Sequence, residues 1–360
     1  MSATAKASAG KASAGRLFED FRVGQSFAHP VPRTVGAADA ALYLAITGAR
    51  FPLHCAEPVA RALGLPGCPL DDMLVFNLVF GRSVIDISWN GVATLGYADC
   101  RFGVPVMAGD TLTARSTVIG LRESSNRRTG TVYVRTTGTN QRGETVLDYA
   151  RWVLVKKRDE ASPAPDAAVP SLPEGVPASA IAVPAGLDAA RYDTGWSGAA
   201  ALWEDYQPGE RIDHVEGVTL EESDHMMATR LYQNGARLHF NQHSERHSRF
   251  GRRVVYGGHV ISVARALSAN GLGNALRLAA IHGGRHAAPS FAGDTLYAWS
   301  EVLAREALPG RDDLGLLRLR TVALKNQDAA RFTLADAAGA LDPSVVLTLD
   351  YSVLMPRRAG

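Results

Sequence analysis

FEDFRVGQSF, beginning at Phe18, recurs as WEDYQPGERI beginning at Trp203, an offset of 185 residues. The same offset carries Thr34 to Thr219, Asp39 to Asp224 and His54 to His239, and PVMAGDTL from Pro105 answers PSFAGDTL from Pro289 at 184. LDYARWVLV from Leu147 is echoed near the end by LDYSVLM from Leu349. Matches in one order at a nearly constant offset mark an internal duplication, which confines the fold to two copies of one supersecondary unit. Between the copies, six of the eighteen prolines fall within Asp159 to Pro184, a composition that reads as a semi-extended linker. The expected organisation is a disordered tail over residues 1–16, a first copy over 17–158, a Pro/Ala-rich linker over 159–199 and a second copy over 200–358.

Each copy runs through the same elements. A helical pattern (Asp39 to Thr47; Asp224 to Tyr232) is followed by a His-bearing segment, then by a strongly apolar run, DDMLVFNLVFGRSVIDIS from Asp71 or GGHVISVARALSANGL from Gly257. Apolar runs of that length bounded by Gly and polar residues read as buried helices, although periodicity alone does not separate them from strand. Alternating strands come next, among them TLTARSTVIGL, GTVYVRTTGT and TVLDYARWVLV. One buried helix followed by an antiparallel meander is an α+β plan with the sheet wrapped on the helix, and parallel βαβ units do not fit it.

The charge balance excludes some partners. With 38 basic and 36 acidic residues the chain lacks the electrostatic footprint of a nucleic-acid binder. No run of 18 apolar residues is present, so no membrane partner is expected, and the N-terminal residues lack an apolar stretch of signal-peptide length. Cys55, Cys68 and Cys100 are too few for a disulfide framework and suit a reducing cytoplasm.

Around His54 the chain reads TGARFPLHCAEPVARALGLPGCPLDDML, and around His239 it reads QNGARLHFNQHSERHSRFGRRVVYGGHV. Both segments resemble the MaoC-like, R-specific enoyl-CoA hydratases, whose signature is Gly-Asp-x-Asn-Pro-Leu-His followed, after a spacer, by a His-Gly-Met turn opening the buried helix. The resemblance covers both copies and implies a double hot-dog fold, a CoA-thioester substrate, reversible addition of water across an enoyl double bond, and no cofactor or metal. The phrases LGYADCRFGVPVMAGDTL and NQRGE narrow it to members whose acyl group carries a free carboxylate. The fold also implies a homo-oligomer, with trimers of such paired units.

Hydration requires preorganised donors on the thioester oxygen, a base for the water and a proton for the α-carbon. The family uses an Asp and a His five residues later, with a backbone N–H at the Gly of the turn serving the oxyanion. His54 and His239 both match the His. The Asp position holds Ala49 in the first copy and Asn234 in the second, while the turn reads Asp71-Asp72 in the first and Tyr256-Gly257-Gly258 in the second. A Gly admits substrate to the backbone, and a carboxylate there opposes a developing anion. The working site is therefore expected around His239, Asn234 and Gly257, with Asp71 or Asp72 as the carboxylate lent to it. The competing arrangement pairs His54 with Asp71 or Asp72 in the first copy.

The acyl carboxylate calls for a cation, and Arg237, Arg50 and Arg253 are the candidates because a guanidinium fork fits it. His239, His243 and His247 are spaced i, i+4, i+8, but eight helical residues span about 12 Å, too far for one ion, so no metal is expected. GLGNAL from Gly271 and IHGGRH from Ile281 read as turns. Two other readings of the same sequence remain: a hot-dog acyl-CoA thioesterase, and a non-catalytic acyl-CoA binding module.

Overall fold

The computed structural model describes residues 12–358, so most of the expected tail lies outside the described residues. Its last residues are held in place, because the Asn90 amide donates to the carbonyls of Ala14 (3.0 Å) and Arg16 (3.1 Å), and Arg16 pairs with Asp86.

The first copy is built from β1 (Ser26–Thr34), α1 (Ala37–Thr47), α2 (Pro52–Cys55), α3 (Glu57–Ala62), α4 (Asp72–Ile87), β2 (Gly91–Phe102), β3 (Thr111–Glu123), β4 (Thr129–Thr139) and β5 (Thr145–Lys156). The second comprises β6 (Arg211–Asp213), β7 (Val218–Thr219), α5 (Glu222–Leu231), α6 (Arg237–Phe240), α7 (Gln242–Glu245), α8 (Gly257–Leu267), α9 (Ala269–Leu272), β8 (Arg277–His286), β9 (Thr295–Leu308), β10 (Arg311–Lys325) and β11 (Val345–Pro356). All strands share one antiparallel sheet in the order β1-β3-β4-β5-β2-β8-β11-β10-β9-β6, with β7 also on β9. The order is a palindrome of the two copies. At its centre β2 pairs β8, with Tyr97 opposite Gly284 and Cys100 opposite Ile281, so each half-sheet covers the edge the other would expose. No helix among the described residues is long and apolar enough to cross a membrane.

Both apolar runs are helices. Fourteen of the sixteen residues of α4 are buried, which is what a helix apolar on every side requires. It and α8 lie against the sheet, and they meet where Asn77 Nδ2 donates to Gly258 O (3.3 Å) and Ser262 Oγ (3.0 Å). Each copy is thus a helix held in a curved antiparallel sheet, and the molecule is a double hot-dog.

One close approach ties the copies together at the site. A Cβ at Gly81 of α4 would stand 1.7 Å from the Tyr232 carbonyl oxygen, so only glycine lets the turn after α5 lie on α4. That turn carries Asn234. The Pro-rich stretch is bonded down along its length: Ala168 bridges Leu121, Val176 N donates to His282 Nδ1 (2.9 Å), and Ala189 N donates to Asp313 (2.8 Å). Leu187 and Ala189 complete an apolar cluster with Leu53 and Val59. This stretch is therefore a strap packed on both copies, because its apolar residues find partners that a free spacer would not.

Candidate active site

The duplicated histidines occupy equivalent places with different surroundings. On α6, His239 Nδ1 lies 2.9 Å from the Val254 carbonyl; on α2, His54 Nδ1 lies 3.2 Å from Pro69 O, the equivalent carbonyl at the 185 offset. A carbonyl only accepts, so in both rings Nδ1 is the donor and Nε2 is the nitrogen turned away from it.

At His54, Nε2 faces a filled space. Asp72 Oδ2 is 3.8 Å from His54 Nε2, and Asp72 is engaged by Arg277, whose Nη2 donates to Oδ1 at 2.6 Å and Nε to Oδ2 at 3.3 Å. The Leu278 amide adds a third bond at 2.9 Å. Asp71 caps α4 by accepting from the Met73 amide at 2.8 Å. Neither carboxylate lines the second copy's cavity: Asp72 is neutralised by an arginine from the other copy, and Asp71 is committed to the helix terminus.

At His239 the corresponding space is open. A cavity of about 440 Å³ is lined by Phe80, Val84, Ser88, Ala93 and Tyr97 from the first copy and by Asn234, His239, Tyr256, Gly257 and His286 from the second. The two offsets explain the contrast. Arg277, which fills the first site, is matched at 184 by Ala93, which lines the second; Asp72 is matched at 185 by Gly257. Two large charged side chains in one place are thus a methyl and a hydrogen in the other.

Gly257 opens α8, whose first turn contains no acidic residue and whose N-cap, Tyr256, makes no side-chain capping bond. The first amides of a helix lack intrahelical partners and carry its positive dipole end, so this terminus is a ready donor for an oxyanion. The equivalent end of α4 is already capped by Asp71, with Asp72 in its first turn. Gly257 is also fixed by His286, because a Cβ there would stand 2.6 Å from Cε1 of that ring. The His286 ring is held in turn by Tyr97, whose hydroxyl lies 3.1 Å from Nε2. Asn234 Oδ1 accepts from the Ala236 amide (3.0 Å), which fixes the orientation of its amide. Burial lowers both His239 and His286 to a pKa of about 4, so each ring is neutral at pH 7.

A sequence profile of the mesaconyl-CoA hydratase family matches residues 3–173. A β-methylmalyl-CoA dehydratase of Chloroflexus aurantiacus is 56% identical, over 97% of this chain and 99% of its own length. The chain belongs to the mesaconyl-CoA hydratase family. A mesaconyl-CoA hydratase of Cereibacter sphaeroides is 53% identical over 96% of this chain and 100% of its own. The crystal structure of a MaoC domain dehydratase from C. aurantiacus superposes with a TM-score of 0.95 at 56% identity, covering 97% of this chain and all of that one. A Mycobacterium tuberculosis protein described as a double hot-dog superposes at 0.74 with 27% identity, over 95% of this chain and 98% of that one. Membership of the mesaconyl-CoA hydratase family makes this chain a hydro-lyase acting on CoA esters.

The remaining candidates separate by position. Arg237 lines the cavity and is exposed. Arg50 is exposed away from it, and Arg253 is tied to Glu222 and to the Phe240 carbonyl. Gly258 packs on Asn77 across the helix contact. His243 and His247 are exposed and do not share a helix with His239, because the chain breaks at Asn241 between α6 and α7. No cluster among the described residues could hold a metal ion.

His286 was not legible as a site residue. IHGGRH reads as a turn from its glycines, yet it ends strand β8, where Gly283 and Gly284 face Ala98 and Tyr97 of β2. The available signal was the duplication itself, which sets His286 against Phe102 at the 184 offset. Arg249 and Lys156, also lining the cavity, carry no such signal.

Proposed function

We propose that this protein hydrates the double bond of mesaconyl-CoA to β-methylmalyl-CoA, reversibly, at the cavity of the second copy. The observation that carries the assignment of the site is the open Gly257 terminus beside the neutral His239, set against the Arg277–Asp72 pair that fills the first copy. The substrate is supported by the names of the relatives matched over nearly the whole chain.

In this reading Nε2 of His239 takes a proton from water, and the hydroxide adds to the β-carbon. The electron pair of the double bond shifts toward the thioester oxygen, where the charge meets the amide of Gly257 and the dipole of α8. The imidazolium then returns the proton to the α-carbon, so one water is added and His239 ends neutral. Asn234 orients the water as donor or acceptor, since an amide abstracts no proton. Within the described lining the only carboxylate is that of Glu245 on α7, so the thioesterase alternative would have to activate its water there.

The test is incubation with mesaconyl-CoA, followed by mass and by free-thiol assay. A product heavier by one water with no thiol released is expected. Thiol release would indicate a thioesterase, and saturable binding without turnover a binding module.

A further inference from the structure

Arg151 on β5 is wholly buried, and among the described residues it makes no ion pair. Its Nη2 donates to Ser83 Oγ at 2.9 Å, both Nη atoms reach Ser88 Oγ at 3.4 Å, and its buried Nε has no partner. The guanidinium stands 4.2 Å from the centroid of the Phe80 ring. Phe80 and Ser88, which it touches, both line the cavity, and so does Tyr256, whose buried hydroxyl is likewise without a partner. Of the other three buried arginines, Arg82 donates to the Val31 carbonyl, and two are compensated by carboxylates. Arg277 is paired with Asp72, and Arg265 lies within the field of Asp71 and Asp72. A buried charge without a counter-ion is strongly unfavourable, and one lodged behind a cavity wall is compensated when an anion seats against that wall.

We propose that Arg151 is the specificity-determining cation for the free carboxylate of the acyl group, an inference that rests on the functional reading above. It holds the Phe80–Ser88–Tyr256 wall of the cavity positive. The Ser88 hydroxyl accepts from Arg151 and donates toward the carboxylate, and the Tyr256 hydroxyl supplies a second donor. Because that carboxylate is attached to the carbon that receives hydroxide, seating it fixes the reacting carbon as well. Arg237 and Arg249, exposed at the mouth, are left for the nucleotide end of the thioester.

The discriminating probe is tiglyl-CoA, in which a methyl group replaces the carboxylate. For wild type, Arg151→Met, Arg151→Lys, Ser88→Ala and Tyr256→Phe, kcat/KM on mesaconyl-CoA is measured beside the inhibition constant of tiglyl-CoA. A charge pair about 6 Å apart at an effective dielectric near 20 corresponds to roughly 100-fold in affinity. Arg151→Met is therefore expected to lose about 100-fold on mesaconyl-CoA while tiglyl-CoA binding moves less than about threefold. Arg151→Lys recovers part of the loss, and Ser88→Ala and Tyr256→Phe move the same ratio by up to about tenfold. Equal losses toward both thioesters would make Arg151 a structural residue and overturn the proposal. If Arg151→Met does not fold, an unchanged ratio in both Ser88→Ala and Tyr256→Phe overturns it. Wild type that binds both thioesters but hydrates neither refutes the functional reading itself, independently of Arg151.

Discussion

Removing Arg277 separates a structural role for the first copy's histidine site from a catalytic one. Arg277 and Asp72 are both nearly excluded from solvent, with side chains 4% and 6% exposed, and they share two hydrogen bonds. Arg277→Met leaves Asp72 buried with only the Leu278 amide and the edge of His54, and an unpaired buried charge of this kind costs about 3–5 kcal/mol. For 360 residues, at about 2.1 cal/mol/K of unfolding entropy per residue, that is a fall of roughly 4–7 °C in Tm. Adding Asp72→Leu removes the stranded charge and should restore at least about half of the loss. The assay is a thermal melt paired with steady-state hydration of mesaconyl-CoA. Below the melt, kcat/KM of Arg277→Met should stay within about threefold of wild type, since neither residue lines the open cavity. An unchanged Tm with activity reduced about 100-fold would refute the reasoning and place the chemistry beside His54.

Two further outcomes follow from the same geometry. Gly257→Ala puts a methyl group 2.6 Å from the His286 ring, displacing it from Tyr97 and crowding the α8 amide; kcat should fall about 10²–10³-fold while circular dichroism is retained, and near-wild-type kcat would remove the oxyanion role. His214, His225 and His282 are lowered by burial to about 4 and His259 to about 3, whereas the unfolded chain takes up these protons near 6.5. Between those values the unfolded state binds more protons, so stability is present above pH 6.5 and lost as pH falls toward 4. Each ring should contribute on the order of 1 kcal/mol per pH unit, read as a falling guanidinium midpoint; a midpoint flat from pH 7 to 5 would contradict it.

The sequence was most informative where partners are close in the chain or repeated along it. The duplication located both histidines, both buried helices and the Asp72/Gly257 difference, because each is a comparison between two copies of a local pattern. The ion pair that fills the first site was not legible, since Asp72 and Arg277 are 205 positions apart and meet only when β8 crosses to β2. Asp72 was accordingly read as a free carboxylate. Arg151 lay unread inside DYARWVLV, where strand alternation does not distinguish a buried guanidinium from an exposed one. The strap over residues 159–199 was read from proline content alone, which reports stiffness and says nothing about what the chain packs against.

The central claim is that two copies build one working site, and paired substitution tests it most directly. His239→Ala and His54→Ala are assayed side by side on mesaconyl-CoA, with product followed by mass. His239→Ala should lose hydration by about 10²–10⁴-fold, as expected for removal of a general base, while His54→Ala keeps kcat within about threefold. Loss of hydration in His54→Ala alone would contradict the account.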